Sequence, residues 1–123
     1  MLQDKSQSEA NHRRFVERAV EQGLVWGLRS SEGWAVAPSN EYEDRDVMPF
    51  WSDKAYATRA VKDEWSSYSP TEIPLPEFLD RWLEGMSADG VLVGTNWDAH
   101  LTGTEIEAAE LAQELLKESG ENL

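Results

Sequence analysis

The chain has 123 residues, of which 40% are hydrophobic and six are tryptophan. It carries 11 Lys and Arg against 24 Asp and Glu, which gives a net charge of −13. The size and the apolar content predict one domain over residues 1–123, with frayed ends at 1–7 and 119–123. The charge argues against direct binding to nucleic acid, because phosphate contacts need clustered cations.

The cysteine content and the apolar runs limit the possible chemistry and the possible cellular location. The chain contains no cysteine, which excludes disulfides, thiolate nucleophiles and cysteine-ligated metals. The stretch MLQDKSQSEANHRRF lacks the apolar segment of a secretory signal, and no apolar run approaches the ~20 residues of a membrane span. These features predict a cytoplasmic protein without a membrane segment, and no cofactor and no metal site are predicted.

The first predicted elements are a helix and a β-hairpin. Apolar residues recur on one face of residues 8–22, with Ser8 as the predicted N-cap and Gly23 as the stop. The runs LVWGL and WAVA flank a polar turn at 30–33, which is typical of a hairpin. Gly27 inside the first strand predicts close contact with a bulky side chain such as Trp.

A strand and a second helix follow an acidic loop. The strand is DVMPF, residues 46–50, and Pro49 predicts that it lies at an edge or ends there, because proline cannot donate to a ladder. Ser52 is the predicted N-cap of the second helix, whose apolar face reaches Trp65. The stretch YSPTEIPL then predicts a short extended segment.

The last third of the chain predicts two helices separated by a buried strand. Pro76 suits the first position of the third helix and Gly85 its end. The run DGVLVG predicts a central strand covered on both faces. The sequence TEIE predicts a capping box in which Glu107 reaches back to Thr104, where the last helix would begin. The order predicts an α+β fold: a small mixed sheet, made of the antiparallel hairpin and further strands, packed with about four helices.

Three stretches carry a resemblance to a known family: VWGLRSSEGWAVAPSN, VMPFWSDKAYA and EIPLPEFLDRWLEGMSADGVLVGTNWDAH. They resemble a small bacterial family catalogued only as domain of unknown function 2750. The resemblance runs from about Phe15 to Leu115, and PFWSDKAYA and VLVGTNWD are its most distinctive parts. It implies a cytoplasmic bacterial domain, and it supplies no activity and no catalytic residues.

Alternating polar residues near the last strand permit two interpretations. On a strand, Asn96, Asp98 and His100 would share a face that could ligate a divalent ion or hold a general base. Asn and Asp more often make local turns in loops, which is the interpretation that the sequence favours.

Two tryptophans occupy unusual positions. Trp51 and Trp97 lie at element ends beside Asp53 and Asp98. Each ring either contacts a partner, as Trp often does at interfaces, or plugs the end of the sheet with its N–H on a backbone carbonyl. The plug is the favoured interpretation, and the junction is also the best candidate for a working surface. The candidate partner-binding residues are Asp46, Trp51, Asp53, Trp97 and Asp98.

Three functions are consistent with the sequence. The first is a non-enzymatic protein-binding module, immunity-type or regulatory, whose acidic surface captures a basic protein; a homo-oligomer also stays open. The alternative is a small carboxylate-dependent enzyme using Asp46, Asp53 and Asp98 with His100 as base, which requires convergence in a pocket. The third is an acidic mimic of nucleic acid, which requires carboxylates spaced like phosphates.

Overall fold

The structure, a computed structural model, describes residues 5–120. Its helices are α1 (Lys5–Gln22), α2 (Lys54–Thr58), a 3-10 turn (Asp63–Trp65), α3 (Leu75–Glu77), α4 (Glu84–Asp89) and α5 (Ala108–Glu118). A π-helical segment (Phe78–Leu83) joins α3 to α4, so that residues 75–89 form one continuous helix, named the central helix. Its strands are β1 (Leu24–Ser30), β2 (Gly33–Trp34), β3 (Ala37–Pro38), β4 (Asp46–Phe50), β5 (Ser69–Pro74), β6 (Leu92–Thr95) and β7 (Thr104–Ile106).

The strands form two small sheets, which confirms the α+β class. One sheet has the order β2-β1-β5 and is antiparallel throughout; the other has the order β3-β4-β6-β7. In the second sheet only β4 and β6 are parallel. An antiparallel bridge between Trp26 and Trp51 connects β1 to the residue after β4. Among residues 5–120, no helix combines the length and hydropathy that crossing a membrane would require.

Strand β6 is the centre of the fold, as its continuous apolar run predicts. All four of its residues are buried, with Leu92 and Val93 in two different hydrophobic clusters. The larger cluster, which includes Val93, contains the apolar faces of α1, the central helix and α5. The smaller one, which includes Leu92, lies toward α2 and the 3-10 turn. Because successive strand residues point to opposite faces, β6 is covered on both sides.

Two sequence details have clear structural reasons. A β-carbon at Gly27 would lie 3.0 Å from Cζ3 of Trp34, which confirms the predicted close contact with a Trp. Pro49 lies inside its sheet rather than at an edge, since it is paired with Gly94 of β6. Alternate residues of β4 face β6, and Pro49 faces the other side, between the short β3 pairing and the Trp26–Trp51 bridge. No ladder bond from Pro49 is therefore required.

Several predicted boundaries were wrong because tertiary contacts override local signals. Ser8 lies inside α1, which already includes Lys5. The central helix continues through Gly85 and ends at Gly90, whose φ of +71° suits glycine. The residue before α2 is Asp53, not Ser52. Of the predicted frayed ends, residues 1–4 and 121–123 lie outside the described part of the chain.

The predicted start of the last helix was also wrong. Residues Thr104–Ile106 form β7, which pairs with β6, and α5 begins only at Ala108. Ile106 is 9% exposed and belongs to the larger hydrophobic cluster. It is buried as part of a strand that pairs with β6, not as part of a helix. The pattern TEIE therefore does not act as a capping box.

Candidate functional site

The carboxyl ends of the two parallel strands lie side by side. Phe50 of β4 pairs with Thr95 of β6, and the chain leaves these strands through residues 51–53 and 96–98. In sheets with parallel strands, ligands commonly bind outside the carboxyl ends. This edge therefore collects most of the residues that the sequence singled out.

The side chain of Asn96 connects the segments that meet at this edge. Asn96 has a φ of +47°, a left-handed conformation that Asn tolerates better than most residues, and it is 5% exposed. Its Oδ1 accepts a hydrogen bond from the backbone N–H of Ser52 at 2.8 Å. Its Nδ2 donates to Ser52 Oγ at 3.0 Å and to the carbonyl of Asn11 at 3.2 Å. One side chain thus connects β4, β6 and α1.

The two junction tryptophans are buried plugs. Trp51 is 0% exposed, and its Nε1 donates to the carbonyl of Trp97 at 3.0 Å. The Nε1 of Trp97 donates in turn to the carbonyl of Thr104 at 3.0 Å. This burial corrects the hypothesis that Trp51 contacts a partner. Trp97 keeps only a 5% exposed edge.

Asp53 is held in an ion pair instead of being open to solvent. Arg18 donates Nη2 to Oδ2 of Asp53 at 2.8 Å and Nε to Oδ1 at 3.4 Å. Ser52 Oγ donates to Oδ1 at 2.7 Å. The hydrogen bonds from Arg18 and Ser52, and the charge of Arg18, outweigh partial burial and lower the pKa of Asp53 below its ordinary value.

The remaining predicted site residues do not converge. Asp46 is exposed at the start of β4 and pairs with Pro38, roughly 13 Å along the strand from Phe50. Asp98 lies in the loop after β6, where its Oδ1 accepts bonds from the backbone N–H groups of His100 and Thr102. Asn96, Asp98 and His100 follow the strand instead of continuing it, so they do not share a strand face. The carboxylates proposed for an enzyme therefore do not occupy one pocket.

His12 makes a partly buried polar contact that sequence reasoning missed. Its Nδ1 lies 2.8 Å from Oγ1 of Thr95, and its Nε2 lies 2.6 Å from Oε1 of Glu114. The imidazole thus links α1, β6 and α5. A signal was present, because His12 precedes the buried Phe15 and Val16 by three and four residues, which places it on the inward helix face.

A polar pocket of about 260 Å³ opens at this same edge. Its walls come from one face of α1, from α2 and from the loop after β6. The lining residues are Gln7, Asn11, Arg14, Tyr56, Arg59, Asn96, Trp97, Asp98 and Ala99. The guanidinium carbons of Arg14 and Arg59 lie 5.8 and 4.9 Å from the centroid of the Tyr56 ring. Neither arginine forms an ion pair with any residue from 5 to 120.

An apolar groove of about 410 Å³ lies on another face, between the central helix and α5. Its lining residues are Leu79, Leu83, Glu84, Ser87, Ala88, Ala108, Ala109 and Ala112. Four of these are alanines, so the floor between the two helices is shallow and apolar. Glu84 is the charged residue of this lining.

A model of the family described as Protein of unknown function (DUF2750) matches residues 12–115. The chain belongs to the DUF2750 family. No curated protein and no solved structure matches it. In this DUF2750 protein, Arg14, Tyr56, Arg59 and the whole lining of the groove lie within the matched residues. The part of the chain described by the structure holds no group of three His, Cys, Asp or Glu side chains placed to bind a metal ion.

The Arg18–Asp53 pair gives this DUF2750 protein a pH-dependent contribution to stability. The pKa of Asp53 in the folded state lies below the ordinary value of about 3.9. The contribution is therefore fully present above that value and is lost as the pH falls through the folded-state pKa. We expect Asp53→Asn to lower the urea midpoint at pH 7, and this deficit to shrink below about pH 4.

Urea titrations from pH 7 to 3 test this prediction. Arg18→Gln is the matched variant, because it removes the partner charge and should give the same pH profile. The double variant should lose less than the sum of the two single losses. A deficit for Asp53→Asn that stays constant from pH 7 to 3 would contradict the prediction.

Proposed function

We propose that the protein is a non-enzymatic binding module that captures a basic amphipathic helix of a partner protein in the groove between the central helix and α5. The observation that carries this proposal is an apolar groove flanked by two acidic helices. Helix-in-groove recognition uses an apolar floor for the apolar face of the incoming helix, and its charged rim for specificity.

The charges around the groove favour a basic occupant. Three carboxylates of this region already have partners within the described chain: Glu107 with Arg45, Glu114 with His12 and Glu118 with Arg13. Five carboxylates on the two helices form no ion pair with a residue from 5 to 120, and the same helices carry only two cations. The carboxylates are Glu77, Asp80, Glu84, Asp89 and Glu110, and the cations are Arg81 and Lys117.

The shape of the groove suits a helix. The small side chains of Ala88, Ala109 and Ala112 allow the backbone of an incoming helix to approach closely. The groove borders α5, which has 11 residues and is therefore about 16 Å long. About three turns of a partner helix would match this length.

The test uses an amphipathic Leu/Lys peptide of about 18 residues as the probe and a Leu/Glu peptide of equal length as comparator. We expect the Leu/Lys peptide to bind and the Leu/Glu peptide not to bind. The affinity for the Leu/Lys peptide should fall as the salt concentration rises, because exposed charges are screened. Ala109→Lys should weaken binding at least about tenfold through bulk and repulsion, while the helix is retained, since Lys is a good helix former. Fluorescence anisotropy measures each affinity.

Ala55→Lys is the matched control, because Ala55 is an exposed alanine on α2 and adds the same charge away from the groove. It should leave peptide binding unchanged. Equal binding of the two peptides, or undiminished binding to Ala109→Lys, would contradict the proposal. Sedimentation showing a dimer that Ala109→Lys dissociates would make a second copy the occupant and would also contradict it.

A further inference from the structure

The polar pocket at the carboxyl ends of β4 and β6 contains two cations that the rest of the described chain leaves unpaired. Arg14 on α1 and Arg59 after α2 both lie over the Tyr56 ring. Neighbouring Arg18 is different, because Asp53 and Glu21 hold its guanidinium. In a protein with a net charge of −13, two such cations at one pocket stand out from the general charge pattern.

Both guanidiniums lie at one pocket and repel each other, and solvent weakens this repulsion because both arginines are exposed. The Tyr56 ring contributes cation–π contacts to both guanidiniums, and it holds them near the pocket. Asp53 lowers this repulsion only in part, since its carboxylate is bonded to Arg18 and interacts with Arg14 through longer-range charge. An anionic ligand between Arg14 and Arg59 would offset the repulsion directly.

Asp98 is the carboxylate in the pocket lining, and it is already committed to its own loop. Its Oδ1 accepts from the N–H groups of His100 and Thr102, and Oγ1 of Thr102 lies 3.1 Å from each of its carboxylate oxygens. These bonds hold the carboxylate against residues 98–102. The guanidiniums are therefore the lining groups with the most unused capacity for hydrogen bonds.

From this arrangement we infer that the pocket binds a small oxyanion, the phosphate or carboxylate group of a low-molecular-weight ligand, between Arg14 and Arg59. Guanidinium groups bind phosphate and carboxylate through paired N–H donors. The volume of about 260 Å³ limits the ligand to a small one, because the pockets that bind drug-sized ligands measure about 300–1,000 Å³. Asn96 and Trp97 fix the wall of the site through buried hydrogen bonds.

The test is an NMR titration of the full chain at constant ionic strength. The probes are inorganic phosphate, malonate and methylammonium, the last as a small cation without an anionic group. The indole N–H of Trp97 and the Arg side-chain N–H groups report on the pocket. We expect phosphate or malonate to shift these signals to saturation, and methylammonium to leave them unchanged. Saturable binding of either anion supports the inference, and the anion that binds shows whether the ligand group is a phosphate or a carboxylate.

Arg59→Gln should weaken that binding at least about tenfold, since it removes one of the two anion contacts. Arg81→Gln is the matched control, because Arg81 is an exposed arginine on the central helix outside the pocket and loses the same charge. It should leave the affinity unchanged. Equal weakening by both variants, saturation by methylammonium, or no saturable shift with either anion would overturn the inference. The groove variant Ala109→Lys should bind the anion with unchanged affinity. The proposal for the groove and the inference for the pocket can therefore be contradicted independently.

Discussion

Gly94→Ala is expected to lower the free energy of unfolding by about 2–4 kcal/mol, the largest effect of any single methyl group that we propose to add. A β-carbon at Gly94 would lie 2.5 Å from Cε2 and 2.7 Å from Nε1 of Trp97. The neighbouring ring is rigid and buried, so it must move as a body. That movement would also stretch the hydrogen bond from Trp97 to the carbonyl of Thr104. Urea unfolding monitored by circular dichroism measures the change.

Gly85→Ala is the control, because it adds the same methyl group where no atom lies within 4 Å. Gly85 lies inside the central helix, so alanine should raise stability by about 0.5–1 kcal/mol. In Trp97→Leu, which lacks the indole ring, the cost of Gly94→Ala should fall by at least half. Similar losses for Gly94→Ala and Gly85→Ala would show that the Trp97 contact does not limit this position.

Asn96→Ala is the second variant with a large expected effect, again about 2–4 kcal/mol. It removes the acceptor of the Ser52 N–H and both bonds that Nδ2 donates, and it leaves buried polar groups unsatisfied. It also places alanine at a φ of +47°, which costs about 1 kcal/mol more than Asn or Gly would at this conformation. Urea unfolding at pH 7 measures the total.

Asn96→Gly separates the two contributions, because glycine adopts a positive φ freely but makes no side-chain hydrogen bond. It should retain the loss from the hydrogen bonds and recover the backbone part, about 1 kcal/mol. Asn40→Ala is the control, since Asn40 is exposed and it is its backbone N–H that donates to Glu105, a bond that alanine keeps. If Asn96→Ala and Asn40→Ala changed the free energy of unfolding equally, the hydrogen bonds of Asn96 would not stabilise this edge.

Periodicity predicted the parts of the fold that bury long apolar faces. Phe15, Val16 and Ala19 of α1 are all buried on the predicted face. The strand at Leu92–Thr95 is central, as its run of apolar residues indicates. These signals succeed because burial of a continuous apolar face dominates local preference.

Local signals failed where a contact distant in sequence provided a stronger alternative. Ser52 has the side chain of a helix cap, but Asn96 binds its N–H and its hydroxyl instead. Thr104 and Glu107 have the spacing of a capping box, but pairing with β6 extends residues Thr104–Ile106 into a strand. Neither partner can be identified from the neighbouring residues alone.

The candidate sites were the least predictable part. Arg14 lies on α1, Tyr56 on α2 and Arg59 directly after α2, and the fold brings these residues to one pocket at the ends of β4 and β6. The spacing of these residues along the sequence does not indicate that they line one pocket. The sequence did identify the edge of the sheet that contains Asn96, Trp97 and Asp98, and its favoured interpretation of Trp51 and Trp97 as plugs agrees with their burial.

The division of the strands between two sheets has a consequence for how the chain folds. In the first sheet Leu24 pairs with Pro74, and in the second Val47 pairs with Leu92, so each sheet depends on residues 45–50 positions apart. The two long loops overlap in sequence, and closing either one partly orders the other. Such non-local topology has a high contact order, which slows the search for the native state. A ribosome-bound chain that has not yet exposed residue 92 therefore lacks the partner of β4, and the pocket forms only after the last third has emerged.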